Sequence, residues 1–327
     1  AGQPLSVAQQ SQYAAAAAAQ ANPLGGEIQE APTVYPFTEV YEPGSIMKVV
    51  TFSGALSDGL IDPNSTFVVP DQEMIGGSLF HDAEYHPTET LTATQILEQS
   101  SNIGTIAIAR LLGEAGLEEW LNRYGFGQPS AVDFPYQSAG ILDNRWNATA
   151  IAAIPIGQDT GVTLVQLLDA YDAVANGGVM APAHLLKGEI PPGGHLVPAS
   201  VGPGRRVVPA NIAAELTYMF ERVITSGGTA PGAAIPGYLV AGKTGTANIP
   251  SPNQSGYLPG AYWATFAGFA PANDPAVTCV VALKDPTPEY GGSVAAPVFA
   301  QVVRDALQME EIPPSGLAQP GASGAAG

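Results

Sequence analysis

Thr38-Glu39-Val40-Tyr41-Glu42-Pro43-Gly44-Ser45-Ile46-Met47-Lys48 is the stretch on which the reading of this chain turns. Pro43-Gly44 breaks the chain just before Ser45, and Ile46 to Gly54 reads as the start of a helix. Serine and lysine three apart on a helix share one face, within side-chain reach of each other. A serine hydroxyl is a poor nucleophile until a neighbouring base takes its proton. A lysine acts as that base near neutral pH only if burial or a nearby cation lowers its pKa. The stretch therefore reads as a nucleophile, Ser45, with its base, Lys48.

Two more short motifs complete the set. Ser100-Ser101-Asn102 follows Ser45 by 55 residues, and Lys243-Thr244-Gly245-Thr246 follows Ser100 by 143. Each alone has an ordinary explanation: a Ser-Ser-Asn run is commonly a turn or a cap, and Lys-Thr-Gly-Thr is commonly a strand running into a turn. Lysine is scarce here, however. Two of the chain's four lysines fall in the two Lys-bearing motifs, in the order an acyl-transfer site needs. The candidate catalytic residues are therefore Ser45, Lys48, Ser100, Asn102 and Lys243. Lys243 supplies a cation near Lys48. Ser100 relays a proton, and Asn102 holds Lys48 or a substrate amide. Lys-Thr-Gly-Thr followed by Ala247 reads as a strand edge whose backbone pairs with an extended peptide. Thr244, Gly245 and Thr246, with Ser101, are the candidate substrate-binding residues, and Lys and Thr side chains suit a substrate carboxylate. Thr244 and Thr246 lie two apart on a strand, so their side chains point the same way.

Taken together, these residues resemble class B penicillin-binding proteins, and the 38–48 stretch is most similar to the cell-division, penicillin-binding protein 3 type. Leu91-Thr92 through Gly104 is similar to that family's helix leading into its Ser-Ser-Asn triplet. Arg123-Tyr124-Gly125-Phe126-Gly127 resembles its Gly-Phe-Gly segment. Gly157-Gln158, Thr163, Gln166 and Ala175-Asn176-Gly177-Gly178 resemble its middle block. Trp263 to Pro271 and Ala295-Ala296-Pro297-Val298-Phe299 resemble its following strand and closing helix. The resemblance covers about residues 36 to 308. It implies a transpeptidase fold of the α/β (α+β) kind, shared with serine β-lactamases: an antiparallel five-stranded sheet flanked by helices, plus a helical subdomain. It implies a peptidoglycan D,D-transpeptidase of cell division that cross-links stem peptides through a Ser45 acyl-enzyme and is inhibited by β-lactams. It also implies an oxyanion hole from the backbone amides of Ser45 and Thr246. The expected partners are D-Ala-D-Ala stem peptides, β-lactams, and a glycosyltransferase and division proteins that dock on an N-terminal part. The expected location is the extracytoplasmic face of the cell membrane.

Three departures stand out. Only Gly25-Gly26-Glu27-Ile28 and a short Thr33-Val34-Tyr35 run correspond to the strands that usually precede the nucleophile. The family's anchor and pedestal segments have no counterpart. The middle block reads Gly157-Gln158-Asp159, with Asp159 in place of a second glycine. Two other functions compete. A hydrolase of the same fold, β-lactamase or D,D-carboxypeptidase, is disfavoured by Ser101 at the centre of the triplet and by the long gap to Lys243. A class A β-lactamase also carries a Glu-x-x-Leu-Asn segment between its triplet and its Lys-Thr-Gly strand to activate the deacylating water, and this chain is read as having no such segment. A non-catalytic β-lactam sensor is disfavoured by the intact Ser45, Lys48 and Lys243.

Composition agrees. The chain has 327 residues, of which 46% are hydrophobic and 12% charged, enough apolar material for a sizeable core. Ala14 to Ala19 is too short to cross a bilayer and reads as part of a surface helix. A net charge of −18 argues against nucleic acid as a partner. Cys279 is the sole cysteine, and the four histidines are scattered. No disulfide framework, metal site or cofactor is expected. The expected organisation is an N-terminal helix and linker over 1–32, a transpeptidase domain over 33–310 with a helical insertion at about 60–235, and a disordered Pro/Gly tail over 311–327. Residues 92–180 are expected to be mostly helical, with separate helices at 103–112 and 118–124, and 181–209 to be loop; strands are expected at 238–248, 262–270 and 276–284, and a closing helix at 294–308.

Overall fold

A computed structural model of the chain describes residues 34–314, apart from 131, 133, 143–145, 252 and 254–255. The expected N-terminal helix lies outside the described residues, as does the tail beyond 314.

The nucleophile segment opens with a 3₁₀ turn, Gly44–Met47, that runs into α1, Lys48–Ser57. Every residue of α1 from Lys48 to Leu56 is buried. This helix is the spine of the fold, and its polar residues need internal partners. Two antiparallel strand pairs follow. Thr66–Val69 (β1), Gln72–Ile75 (β2), Ser78–His81 (β3) and Glu89–Thr92 (β4) pair as β1 with β4 and β2 with β3. The expected helical insertion thus begins with strands. Thr92 caps α2, Ala93–Glu98, through a reciprocal box with Gln95. The long α3, Asn102–Tyr124, contains a kink at Gly113, whose φ is 69°. Sequence reading had split it into two helices. Trp120 of α3 lies against Gly54 of α1, where a Cβ would stand 2.7 Å from the indole. Its Nε1 donates to Asp58 at 3.1 Å.

Thr163 and Gln166 form a second capping box at the start of α4, Leu164–Ala175. Three short two-residue pairings follow: 141–142 with 160–161 lies in a stretch expected to be mostly helical, while 188–189 with 197–198, and 205–206 with 179–180, interrupt the expected 181–209 loop. Then come α5, Ala210–Val223, and the strands β5, Ala241–Pro250, β6, Tyr257–Ala270, and β7, Val277–Lys284. They form an antiparallel meander in the order β5-β6-β7, which α6, Gly291–Met309, closes. Among the described residues this sheet has three strands rather than five. Tyr35–Thr38, part of which was read as strand, is a helical turn.

The pleat of β6 divides the core. Ala267 and Phe269 face the larger cluster, with Ile46, Met47 and Tyr171. Phe266 and Ala270 face a second cluster with Ala295, Phe299 and Val303 of α6. Phe266 and Phe299 have centroids 4.7 Å apart and are tilted by 58°. Such aromatic pairs add about 0.5–1.5 kcal/mol beyond the area they bury. The sheet is thus held between helices on both faces, and the start of α1 lies against the edge strand β5.

Candidate active site

Two glycines press the nucleophile turn onto β5. Gly44 has φ +60°, and a Cβ there would stand 3.0 Å from Thr246 O. Gly245 has no room for a side chain: a Cβ would meet Thr265 Oγ1 at 2.3 Å, Pro43 O at 2.8 Å and Ile46 Cγ2 at 3.3 Å. The glycine of Lys-Thr-Gly-Thr is therefore the residue that lets the two motifs approach backbone to backbone. A third glycine supports the turn from behind. Gly44 N donates to Gly157 O at 3.1 Å, and Gly157 has φ +78°. A Cβ on Gly157 would lie 2.1 Å from Gly44 O. Tyr171 Oη donates to Ile46 O at 2.9 Å from α4. Within residues 43–50 only Ser45 is partly exposed, so it is the group of this buried turn that a ligand can reach.

Gly157→Ala tests this support. A left-handed backbone costs a non-glycine residue about 1–2 kcal/mol, before the clash is counted. A fall in Tm of roughly 5 °C or more is expected, with slower acylation of Ser45. An unchanged melting curve by differential scanning calorimetry would contradict it.

Lys48 is fully buried and reaches across to the start of α3. Its Nζ donates to Ser100 O at 2.6 Å, Ser101 O at 3.1 Å and Asn102 Oδ1 at 3.0 Å, with Ser100 Oγ at 3.3 Å. Burial pulls the Lys48 pKa down to about 7, and the charge of Asp82 pulls it partly back. Three acceptor-only oxygens match the three donors of an ammonium, so the contacts favour the charged form while burial favours the neutral one. That balance suits a base that must hold and release a proton near neutral pH. Lys243 is also fully buried. Burial first, and then the Lys48 charge, hold its pKa well below the ordinary lysine range. Its Nζ donates to Thr244 O at 3.1 Å and to Thr244 Oγ1 at 3.2 Å.

The remaining residues take specific places. Ser100 sits at φ 63°, an uncommon region for serine. Ser101 is the N-cap of α3, its Oγ accepting from Gly104 N at 2.9 Å. Thr244 Oγ1 is 2.7 Å from Thr229 Oγ1, and Thr246 Oγ1 accepts from Gly291 N at 3.3 Å. Lys48, Ser100, Ser101 and Asn102 thus form one hydrogen-bonded cluster. Lys243 and Thr244 form a second; the Lys48 charge acts on Lys243, while burial, rather than the Lys243 cation expected from the sequence, lowers the Lys48 pKa. Ser45, Gly245 and Thr246 meet where the turn lies on β5.

Sequence reading missed Asp82, Thr229 and Gly291. Asp82 joins a triplet about twenty residues further on, and no local periodicity marks such a contact. The reading also missed a Glu-x-x-Leu-Asn run, Glu118 to Asn122. It lies late in α3, beside Trp120, which donates to Asp58 at the far end of α1. Ten residues of helix separate Asp58 from Lys48, about 15 Å at 1.5 Å per residue. Trp120, the centre of the run, thus packs toward the end of α1 away from Lys48, and the hydrogen bonds of Lys48 Nζ involve no residue of the run.

Comparisons with known proteins agree with this geometry. Residues 2–304 match the penicillin binding protein transpeptidase domain. Penicillin-binding protein PbpB of Mycolicibacterium smegmatis is 36% identical over 284 residues, 84% of this chain and 44% of that protein. Peptidoglycan D,D-transpeptidase FtsI of Escherichia coli is 31% identical over 300 residues, 90% of this chain and 48% of that protein. The chain thus spans less than half the length of these relatives. Penicillin-binding protein 3 of Mycobacterium tuberculosis, solved with ampicillin, superposes with a TM-score of 0.81 at 33% identity, over 88% of this chain and 66% of that one. The transpeptidase domain of Burkholderia pseudomallei penicillin-binding protein 3 does so with a TM-score of 0.77 at 33% identity, over 87% and 84%. A buried Ser-x-x-Lys turn, a Ser-Ser-Asn triplet gripping its lysine and a Lys-Thr-Gly-Thr strand beneath them sit in the fold these relatives share, and the chain belongs to the penicillin-binding protein transpeptidase domain family, on the penicillin-binding protein 3 branch.

Proposed function

We propose that this chain is the acyl-transfer part of a peptidoglycan D,D-transpeptidase of bacterial cell division. The observation that carries the reading is the Lys48 cluster: one fully buried lysine, three residues from a reachable serine, gripped by the whole Ser100–Asn102 triplet. In the reading, Lys48 takes the proton of Ser45 Oγ as that oxygen attacks the carbonyl of the penultimate D-Ala. The peptide C–N bond breaks, and the terminal D-Ala amine leaves with a proton passed through Ser100 or Lys48. An amine of a neighbouring stem peptide then attacks the Ser45 ester, the new amide forms, and the proton returns to Ser45 Oγ.

Lys243, Thr244 and Thr246 bind the substrate carboxylate, and Gly245 and Ser101 shape the cleft around the peptide. The 3₁₀ turn presents the Ser45 N–H at a helix start, where the backbone dipole favours negative charge. With the Thr246 N–H it forms the oxyanion hole, and one lost donor of this kind costs on the order of 10²–10³ in rate. β-Lactams occupy the same cleft and acylate Ser45. Penicillin-binding protein 3 of Mycobacterium tuberculosis has been solved in complex with ampicillin and with aztreonam. The proposed setting is the extracytoplasmic face of the membrane, beside a glycosyltransferase and division proteins. No described helix is long and apolar enough to cross a membrane.

Intact-mass measurement after incubation with benzylpenicillin tests the reading. One adduct of the drug's full mass is expected, persisting for far longer than its formation takes, with nitrocefin turned over only slowly. Rapid nitrocefin turnover with no adduct would replace the transpeptidase reading with a hydrolase.

A further inference from the structure

The Ser100–Asn102 triplet is held on two sides, and the acyl-transfer reading uses only one of them. Lys48 takes its carbonyl side. Its N–H side belongs to the Asp82 carboxylate, which follows directly on β3. Asp82 is 8% exposed. Its Oδ1 accepts from Ile103 N at 3.0 Å and from Asn102 N in a short contact, and its Oδ2 accepts from Ser101 Oγ at 2.7 Å. His86 Nε2 meets Oδ2 at 3.1 Å. Asn102 Nδ2 also donates to His81 O at 3.0 Å, and Asp82 N donates to Asp71 O at 3.0 Å. The carboxylate therefore fills the helix-start position where a negative charge is favourable, and it satisfies amides that would otherwise lack partners.

The triplet needs such a hold. Ser100 is in the left-handed region, a conformation that persists only where its surroundings over-determine it. The oxygens that grip Lys48 are Ser100 O, Ser101 O and Asn102 Oδ1, and all three move with this turn. We propose that Asp82 is a positioning residue for acylation: it fixes the N–H side of the triplet so that its oxygens hold Lys48, and its charge sets how readily Lys48 gives up its proton. His86 completes the arrangement as the cationic partner of Asp82. Both ring nitrogens face oxygens, Nδ1 meeting Pro87 O at 2.8 Å, which suits an imidazolium. Burial works against that charge, but the bond to Pro87 O and the bond and charge of Asp82, with the charge of Glu89, raise the His86 pKa. Lys243 faces Lys48 from β5, and burial, with the Lys48 charge, pushes it toward its neutral form.

The inference rests on the acyl-transfer reading, so the experiment separates the two. The pH dependence of benzylpenicillin acylation is measured for the wild type, Asp82→Asn and His86→Gln. Lys48 is also titrated directly by NMR of ¹³C-lysine-labelled protein, which shows only four lysines. Acylation requires neutral Lys48, so its rate rises with pH through the Lys48 titration. Asp82→Asn keeps the shape and removes the charge that favours the ammonium. Its limb and its Lys48 titration are expected to move about one unit lower, the size of an opposite charge nearby. Its plateau is expected to fall roughly 10–100-fold through misplacement. His86→Gln leaves the Asp82 charge uncompensated, so both limb and titration move higher. A residue that only stabilised the fold would change the amount of active protein and move neither limb. Unmoved limbs and titrations, or shifts of the same sign in both variants, overturn the proposal. Should Asp82→Asn fail to fold, the upward shift in His86→Gln decides it. A wild type that forms no adduct would instead defeat the acyl-transfer reading, and the Lys48 titrations would still report on Asp82.

Discussion

Ser45→Ala is expected to show no mass increase with benzylpenicillin under conditions that label the wild type completely. Two serines compete for the role of nucleophile. Ser100 Oγ lies 3.3 Å from Lys48 Nζ, and Ser100 is partly exposed. Ser45 is also reachable and stands three residues before Lys48. Lys48 N donates to Ser45 O, closing the turn that carries both side chains. The turn decides between them. Ser45 has a helix start behind it and the Thr246 backbone close to its turn, the arrangement in which the proposed oxyanion hole of the Ser45 and Thr246 amides would serve its acyl group. Ser100 is tied down on both sides of its peptide plane and is suited to pass a proton. Loss of a serine nucleophile lowers the rate by roughly 10⁴–10⁶-fold in comparable acyl-transfer sites. Ser100→Ala is expected to slow labelling and leave the adduct on Ser45. Peptide mapping that finds the drug on Ser100 in the wild type would reverse the two roles.

Much of the site was legible because its parts are local. The Ser45–Lys48 relation is three residues on one turn. The strand carrying Lys243 to Thr246 was expected at 238–248 and runs over Ala241–Pro250, displaced only at its ends. Its partners, expected at 262–270 and 276–284, run over Tyr257–Ala270 and Val277–Lys284. β6 is buried over its last eight residues, apolar but for Thr265, and β7 carries the half-buried apolar run Cys279 to Leu283, so both stretches are plain. The four strands between Thr66 and Thr92 were not legible. Each is four residues long, and Val68, Met74 and Leu79 are exposed on them, so no apolar alternation marks an inner face. α3 was read as two helices because Gly113 breaks its periodicity, as its φ of 69° breaks its geometry. Gly157 and Asp82 act on residues far away in sequence, and only the folded chain brings them to the Ser45 turn and the triplet. The five-stranded sheet implied by resemblance has three strands among the described residues; the segment expected to supply further strands lies almost wholly before residue 34.

Lys48→Ala is expected to lower the acylation rate by roughly 10²–10⁴-fold, the usual worth of a positioned proton transfer. The substitution also leaves Ser100 O, Ser101 O and Asn102 Oδ1 without their shared donor, and unsatisfied buried acceptors cost stability. A melting curve must therefore accompany the kinetics, so that loss of folded protein is separated from loss of the base. Lys48→Arg makes the distinction sharper. Arginine restores donors and charge but stays protonated at any accessible pH. It is expected to recover part of the stability and none of the rate. In the wild type the rate should climb with pH, because only the neutral amine accepts the Ser45 proton. The midpoint should lie at about 7, where burial has brought the Lys48 pKa, or somewhat above it, because three carbonyl-type acceptors favour the ammonium. Stopped-flow acylation by nitrocefin from pH 5.5 to 9 would trace this limb, with any acid-sensitive unfolding followed in parallel. A flat profile, or near-normal acylation by Lys48→Arg, would move the base elsewhere. Lys243 would then be the remaining candidate, since it is the other buried lysine and burial, with the cation at position 48, holds its pKa well below the ordinary lysine range.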